Sequence, residues 1–207
     1  MTEQTSSPET VPQYGVAHIP ENNNIPRAFF YKQLFKPEEC ARIINAPIDS
    51  ERTRQYILAQ KQYMQGYAQY MHAEIQLLEK VPENQWGFEF CHKLMCVLND
   101  RDYHFDVKDL CDTQVLTLKP GMHIGMHFDL GNGPFSKRKL GMVVFLSPED
   151  HYTGGGYDMM TNGFSLARCQ QGSIAVFPAY YVTGFQAVTS GEQKVLLTWL
   201  DGPDRFR

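Results

Sequence analysis

The sequence lacks several features that would assign it to a common class. It has no run of 18 apolar residues and no charged-then-apolar start, so we expect neither a membrane span nor a leader. It has no CxxC pair, and its five cysteines suit reduced thiols in the cytoplasm better than a disulfide framework. A net charge of −4 gives no reason to expect nucleic acid. The short basic cluster Lys137–Lys139 is interpreted as a solvated turn.

What is present is the composition of an ordinary globular domain. The chain has 207 residues, of which 43% are hydrophobic and 20% charged, enough for one domain with a sizeable core. Residues 1–24 are rich in Ser, Thr, Pro, Glu and Asn and predict a flexible tail. We therefore expect one domain over residues 25–207.

The first half of this domain predicts helices, over about residues 36–100. Pro37 with acidic neighbours predicts a helix start, after an edge strand at Ala28–Tyr31. Residues 52–80 contain no proline, and apolar residues recur there near a helical period, which favours one long helix or two shorter ones. A further helix is predicted from about Glu83 to Asn99.

The second half, over about residues 112–202, is rich in β-type residues separated by Gly, Pro, Asn and Asp. Short strands with turn signals at this spacing predict a sandwich or barrel. The expected fold class is α+β, with N-terminal helices packed on one sheet of a jelly roll. The predicted strands are Thr113–Leu118, Leu140–Leu146, Tyr157–Met160, Ser173–Phe177, Val182–Val188 and Lys194–Leu200.

The segment Gly121–Asp129 carries the clearest chemical signal, a His127-x-Asp129 pair. Residues two apart on an extended strand point to the same side, with Cα atoms roughly 6–7 Å apart, so both side chains can reach one ion. With a second histidine from a distant strand they would form the 2-His-1-carboxylate face of non-haem Fe(II) oxygenases. We expect Fe(II), or another divalent metal, at His127 and Asp129.

Four segments resemble the Fe(II)/2-oxoglutarate dioxygenases, specifically their prolyl 4-hydroxylase-like branch. The resemblance covers about residues 84–202, and the order and spacing of the segments carry it. It implies a double-stranded β-helix fold and an oxidoreductase activity. The segments are Pro120–Asp129, Arg138–Leu146, Tyr152–Gly156, and a final run from Gly172 to Trp199 that contains Phe177-Pro178 and Val188–Gly191.

The sequence departs from this family at three positions. Aligned by the motifs, the family's second metal histidine falls on Thr183, its 2-oxoglutarate arginine on Gln193 and a cosubstrate tyrosine on Leu118. A threonine hydroxyl is a poor ligand for Fe(II), and a glutamine amide cannot form the charged fork that arginine makes with a carboxylate. Lys194 should face the opposite side of the strand. Ordinary 2-oxoglutarate turnover is therefore not expected.

Two other residues are candidates for the third ligand or for the pocket. His123 has the parity of His127, but four extended residues would separate them by roughly 13 Å unless the chain turns at Gly121 or Gly125. Tyr181 is near the position of the absent histidine, where it would either place a phenol near the ion or pack under a loop. Both alternatives stay open from the sequence.

Two functions are compatible with these residues. The first is a non-haem Fe(II)-dependent oxygenase-like enzyme with an atypical site, which oxidises a small molecule or an amino-acid or peptide substrate, most simply by hydroxylation. The second is a catalytically silent binding module that keeps the fold. The loop 129–139 and residues 52–72 should shape the entrance to the pocket. The sequence selects neither a particular substrate nor an oligomeric state.

Overall fold

The computed structural model describes residues 27–64, 70–160, 164–166 and 169–206. The tail predicted for residues 1–24 lies outside this set. Three α-helices occur, at Pro37–Ile44 (α1), Ser50–Tyr63 (α2) and Pro82–Leu98 (α3). A π-helical turn at Asn99–Tyr103 continues α3, and a 3-10 turn occupies Gly133–Lys137. None of the helices in the described residues is long and apolar enough to cross a membrane.

Twelve β-strands follow one another along the described chain. The first six are β1 Phe29–Tyr31, β2 Glu74–Leu77, β3 Leu110–Leu118, β4 Ile124–His127, β5 Arg138–Phe145 and β6 Tyr152–Gly154. The others are β7 Tyr157–Met159, β8 Phe164–Leu166, β9 Ile174–Pro178, β10 Thr183–Phe185, β11 Val188–Gly191 and β12 Gln193–Asp201.

The strands form two main sheets that face each other. The larger sheet has the order β1-β9-β5-β12-β3-β2, the smaller one β4-β10-β7-β8, and β11 pairs with β6 as a separate ribbon. All the strand pairs are antiparallel, and strands distant in sequence are neighbours in both sheets. This is the predicted jelly roll with an α+β architecture, so the predicted fold class is confirmed.

Local sequence explains where the helices start. At α1, Pro37 occupies the first turn, where its missing N–H costs no hydrogen bond, and the Glu39 carboxylate accepts from the Lys36 backbone N–H at 2.7 Å. At α2, the Asp49 side chain caps the helix by accepting from the Arg52 N–H at 2.9 Å. Both caps satisfy backbone donors that a helix start leaves unpaired.

The larger sheet separates two apolar cores, and β5 shows how. Met142 and Val144 face the helices, where they join a cluster that includes Met95 of α3. Val143 and Phe145, which alternate with them, face the smaller sheet. Because β5 is buried on both faces, it is apolar almost throughout. The helices therefore cover one face of the larger sheet, as predicted, and the other face lines the interior of the β-helix.

The prediction of helix from residue 52 to residue 80 is wrong in its second half. α2 ends at Tyr63, and Glu74–Leu77 forms the edge strand β2, which pairs with β3. The sequence Glu-Ile-Gln-Leu alternates polar and apolar residues, as a half-buried strand does. Over so few residues this alternation also fits a helical spacing, so the strand pairing decided the structure.

Candidate metal centre

His127 and Asp129 converge at the mouth of the β-helix. His127 is the last residue of β4, and Asp129 is held by its backbone N–H, which donates to the Ala179 carbonyl at 2.9 Å. The His127 Nε2 atom lies 3.3 Å from Asp129 Oδ1, and both side chains are less than a tenth exposed. Two donor atoms bound at about 2.1 Å to one ion, at about a right angle, would lie about 3 Å apart. The spacing therefore fits a shared divalent ion.

The orientation of His127 also suits a metal ligand. Its Nδ1 atom lies 2.8 Å from the Gly125 carbonyl oxygen, which can only accept, so Nδ1 carries the proton and Nε2 keeps its lone pair. Burial, reinforced by the nearby Arg138 guanidinium, lowers the pKa of His127 to about 3. The imidazole is therefore neutral at pH 7, and two electron-rich atoms face each other at Nε2 and Asp129 Oδ1.

Asp129 is a buried carboxylate in a partly compensated environment. Burial raises its pKa, while the Arg138 guanidinium and the Trp199 indole act in the opposite direction. Groups that contact metal-binding carboxylates and histidines commonly fix their orientation in this way. A cation between Asp129 and His127 would favour the charged carboxylate, so the residues present fit a divalent metal.

Thr183 stands where the resemblance placed the second histidine. It pairs directly with His127 between β10 and β4, and it is 4% exposed. The phenol of Tyr157 comes from β7, where Tyr157 is paired with Phe185, one step deeper in the sheet. The Thr183 hydroxyl acts to lower the Tyr157 pKa, which burial nevertheless raises well above its usual value. The third corner of the site therefore holds two hydroxyl groups and no imidazole.

Tyr157 was not predicted to be part of the site. Its hydroxyl is buried, and it has no hydrogen-bond partner among the described residues at ordinary distances. The sequence signal was weak, because Tyr157 follows the glycines at 154–156 and reads as the first residue of a short strand. Only the pairing of β7 with β10 directs its ring toward Thr183.

The residue at the position of the family arginine, Gln193, is neutral, and its amide already makes hydrogen bonds within the protein. The Gln193 side-chain amide donates to the Gly155 carbonyl at 2.9 Å and to the Tyr152 hydroxyl at 3.3 Å. Gln193 pairs with Leu118 across β12 and β3, and both residues are essentially buried. The two predicted cosubstrate positions are therefore adjacent, and neither presents a positive charge.

Aromatic rings fill the interior on this side of the pair. The Tyr157 ring centroid lies 4.9 Å from that of Phe185 and 5.7 Å from that of Phe145. Phe177 completes the group at 6.5 Å from Tyr157. The two cosubstrate positions of the family, Gln193 and Leu118, offer a carboxylate no positive charge. The residues present therefore do not fit 2-oxoglutarate in the orientation expected for the family.

Lys194 does not replace the arginine. Its ammonium group donates to the Thr117 hydroxyl at 2.9 Å and pairs with the Glu192 carboxylate at 2.8 Å. Since Lys194 follows Gln193 on β12, strand alternation directs it to the opposite face, as the sequence predicted. It does not line the cavity beside His127.

The two other candidate ligands lie apart from the pair. The His123 ring packs against His72, with centroids 4.8 Å apart, and it does not line the cavity that contains His127. The turn that would have brought His123 to the ion is therefore absent from β4. Tyr181 is 1% exposed in the core between the sheets, where its ring contacts Tyr180. The position of Tyr181 therefore agrees with the alternative in which its ring packs in the core.

Two spaces lie beside His127, and both are lined by His127 and Met64. We call the first the inner cavity; it is small, and Asp129, Thr183, Arg138 and Trp199 share its walls with His127. We call the second the outer groove; it measures about 660 Å³, and His127 forms part of its floor. The outer groove is lined by Tyr63, Met64, Tyr70, Met126, His127, Phe128, Leu130, Gly131, Asn132 and Val182. None of these is a formally charged residue.

Arg138 contradicts the interpretation of residues 137–139 as a solvated turn. Its side chain is 2% exposed, and it forms an ion pair with Asp112 at 3.0 Å. The same terminal nitrogen donates to the Tyr56 hydroxyl at 3.2 Å, and the guanidinium carbon lies 3.5 Å from the centre of the Trp199 ring. The sequence hid this role, because flanking lysines made Arg138 look like part of a surface cluster.

Comparison with known proteins supports the resemblance. No protein-family profile matches the chain. A PKHD-type hydroxylase of Rippkaea orientalis is 29% identical over 85 residues, which are 39% of this chain and 38% of that protein. One from Prochlorococcus marinus is 30% identical over 88 residues, 41% of this chain and 38% of that protein. The matched region therefore spans well under half the length of these relatives.

Solved structures agree over most of the chain. A viral collagen prolyl hydroxylase from Paramecium Bursaria Chlorella virus-1, in its 2OG complex, has a TM-score of 0.61 at 18% identity and covers 84% of this chain and 95% of its own. A Pseudomonas putida prolyl-4-hydroxylase has a TM-score of 0.59 at 13% identity, covering 86% and 93%. The fold is that of these oxygenases, and the similarity to the prolyl 4-hydroxylase-like branch is confirmed.

Proposed function

We propose that this chain is a non-haem iron oxygenase-like protein whose metal site is the atypical pair His127 and Asp129. It oxidises, by hydroxylation in the simplest case, a small molecule or an amino-acid or peptide substrate. The observation that carries the proposal is the 3.3 Å approach of His127 Nε2 to Asp129 Oδ1, with Nδ1 committed to the Gly125 carbonyl. Such an arrangement is well suited to a cation, because both atoms can bind one ion.

In this proposal each residue has a limited task. His127 and Asp129 hold Fe(II), which supplies O₂ activation when it is bound. Thr183 offers a hydroxyl, directly or through a water molecule, at the third corner. Arg138 and Trp199 keep Asp129 oriented, since both act on its pKa from the buried side. Because only two strong ligands are present, more positions on the ion are open to substrate than in a full triad.

The outer groove is the proposed entrance for substrate. It opens directly on His127, and its described walls offer aromatic and apolar side chains together with one amide. The relatives are named hydroxylases, and a prolyl hydroxylase from Trichoplax adhaerens with the same fold was solved with a peptide fragment. We therefore keep a peptide or an amino acid among the proposed substrates, beside small molecules. Ordinary 2-oxoglutarate binding is not part of the proposal.

An anaerobic metal titration tests the metal site. Fe(II), or Co(II) as a spectroscopic substitute, is titrated into the wild-type protein and the His127→Ala and Asp129→Asn variants. We expect one ion per chain, with affinity reduced at least 100-fold in both variants. His151→Ala changes an exposed histidine and is the matched control. No ion uptake by the wild-type protein, or equal uptake by all variants, would contradict the proposal.

The second candidate is a catalytically silent binding module, and the filled interior favours it. Tyr157 packs against Phe185 in the interior, and the Gln193 amide donates to the Gly155 carbonyl. A chain without cosubstrate binding could retain the pair only to hold an ion or a ligand. The visible band that Fe(II) and 2-oxoglutarate produce together under anaerobic conditions tests ordinary cosubstrate use, which predicts the band, whereas both candidate functions predict its absence. Metal- and O₂-dependent conversion of any substrate would rule out the silent module.

A further inference from the structure

We propose that Arg138 anchors a carboxylate-bearing ligand in the inner cavity, in place of the charge that is missing at Gln193. The ligand would extend from Arg138 past the metal pair into the outer groove. This deepens the proposed function, on which it rests for the role of the pair, because it names the chemical class of the ligand at the same site.

Arg138 has donors that the protein leaves unused. A guanidinium carries five N–H donors in a fixed plane. Both hydrogen bonds that Arg138 makes within the described residues come from one nitrogen, Nη2, which donates to Asp112 and Tyr56. The Nε atom is buried without a partner among the described residues. Burial of a charged group with unpaired donors is unfavourable, so a polar partner is expected from outside the chain.

The guanidinium is also held rigidly. It stacks on Trp199 at 3.5 Å and lies 4.7 Å from the centre of the Phe135 ring. Asp112, its ion-pair partner, has a left-handed backbone with φ of 48°. It lies where the β3–β12 register shifts, a feature that re-aims side chains near functional sites. A cation positioned in this way is preorganised to bind, because little side-chain freedom remains to be lost.

Arg138 is the one cationic side chain among the described residues that line the inner cavity. Gln193 is neutral, and Lys194 is directed to Thr117 and Glu192 on the other face of β12. The same cavity contains His127 and Asp129, so a ligand bound to Arg138 would lie beside the proposed ion.

A carboxylate is the group that matches this geometry. The buried Nε–H can donate a charge-assisted hydrogen bond to a carboxylate oxygen, whereas both N–H bonds of Nη2 are already used by Asp112 and Tyr56. The inner cavity is small, but His127 and Met64 line both it and the outer groove. The rest of the ligand therefore extends into walls without a charged side chain. The expected ligand is a monocarboxylate with an uncharged, apolar remainder.

Equilibrium binding tests this inference. Phenylacetate is compared with its neutral counterpart phenylacetamide and with 2-oxoglutarate, which carries a second carboxylate. A Trp86→Phe background leaves Trp199 as the tryptophan reporter, and its stacking on Arg138 makes its fluorescence sensitive to a ligand there. We expect phenylacetate to bind at least tenfold more tightly than phenylacetamide, and also more tightly than 2-oxoglutarate.

The variant Arg138→Met with Asp112→Asn removes the ion pair without leaving a lone carboxylate. It should lose the preference for phenylacetate over phenylacetamide, whereas the matched control Lys194→Met should keep it. If the double variant does not fold, judged by circular dichroism, Arg138→Lys decides the matter. Lysine keeps the charge but has no N–H at the position of Nε, and we expect the preference to fall at least threefold. Equal binding of acid and amide by the wild-type protein, or an unchanged preference in these variants, would overturn the inference.

Pyruvate separates two sources of the carboxylate. If pyruvate binding needs both Arg138 and a bound metal ion, the carboxylate belongs to a 2-oxo acid cosubstrate. If phenylacetate binds through Arg138 and pyruvate does not, the carboxylate belongs to the substrate itself. Metal uptake is measured independently. Loss of metal binding with retained carboxylate preference would remove the proposed function alone, and the reverse result would remove this inference alone.

Discussion

The two ends of the β-helix interior differ in the chemical character of their buried polar side chains, which are ionisable at one end and neutral at the other. At the mouth, His127 and Asp129 face each other at 3.3 Å, and Arg138 has a buried Nε without a partner in the described chain. At the far end, the neutral Gln193 donates to Gly155 and Tyr152 and is 1% exposed. The mouth has the character of a binding site, whereas the far end has that of a packed core.

Under the proposed function, this difference corresponds to the part of an oxygenase site that the chain keeps. A fold can retain the strands that present a metal pair while the cosubstrate end is repacked, since function depends on sites and not on the fold. Here the repacking uses large residues, with Tyr157 and Phe177 both fully buried. The charge lost at position 193 has a counterpart in Arg138, which approaches the pair from the opposite side of the cavity.

The largest expected effect is at the mouth, on the ion pair of Arg138. Arg138→Met leaves the Asp112 carboxylate without its partner, and breaking a largely buried pair in this way costs about 3 kcal/mol. Urea unfolding of the metal-free protein measures the loss. Adding Asp112→Asn should recover part of it, because no uncompensated charge is left. A loss below about 1 kcal/mol would mean that the ion pair of Arg138 and Asp112 contributes no more stability than an exposed ion pair.

The next effect is a dependence of stability on pH that originates at His127. Its folded pKa of about 3 is below the unfolded value near 6.5, so the unfolded chain binds more protons between these values. This titration lowers the free energy of unfolding by about 2 kcal/mol between pH 7 and pH 5. Asp129 opposes this change, since its pKa is raised and its protonation at low pH is easier in the folded state.

The test compares the metal-free wild-type protein with His127→Gln by urea unfolding at pH 7 and pH 5. The wild-type protein should lose more stability than the variant over this interval. Parallel losses would place the titrating group elsewhere. The stability data would then give no evidence that the mouth and the far end differ in their electrostatics.

The fold was largely predictable, and the exceptions have physical reasons. Short apolar runs between Gly, Pro, Asn and Asp indicated most of the strands, because a strand buried between two layers needs apolar residues on both faces. β2 was missed because Glu74–Leu77 is too short for its period to be read and is fixed by pairing with β3. The run Val182–Val188 proved to contain parts of two strands, β10 and β11, with different partners.

The site was predictable where motifs set the register. Thr183 was placed from the order of the motifs, and it does pair with His127. Arg138 and Tyr157 were not foreseen as site residues, because their roles depend on partners distant in sequence. Arg138 is buried by Asp112 and Trp199, and no local pattern distinguishes a buried arginine from a surface one.

A third prediction concerns the missing imidazole. Thr183→His combined with Tyr157→Phe should raise the affinity for Co(II) about tenfold, since a third nitrogen ligand would join the pair and the phenol oxygen would no longer crowd it. The single variant Thr183→His should gain less. Isothermal titration under anaerobic conditions measures both. An unchanged affinity in the double variant would show that the mouth is not built around an ion at this position.

The smallest effect is expected at the far end. Gln193→Leu removes two hydrogen bonds, but it also removes a buried side-chain oxygen that has no partner in the described residues. These contributions nearly offset each other, so the free energy of unfolding should change by less than about 1 kcal/mol. Affinity for Co(II) should stay within about twofold, because the variant touches neither His127 nor Asp129. A larger change in metal affinity would show that the two ends are coupled, and the far end would then have to be treated as part of the site.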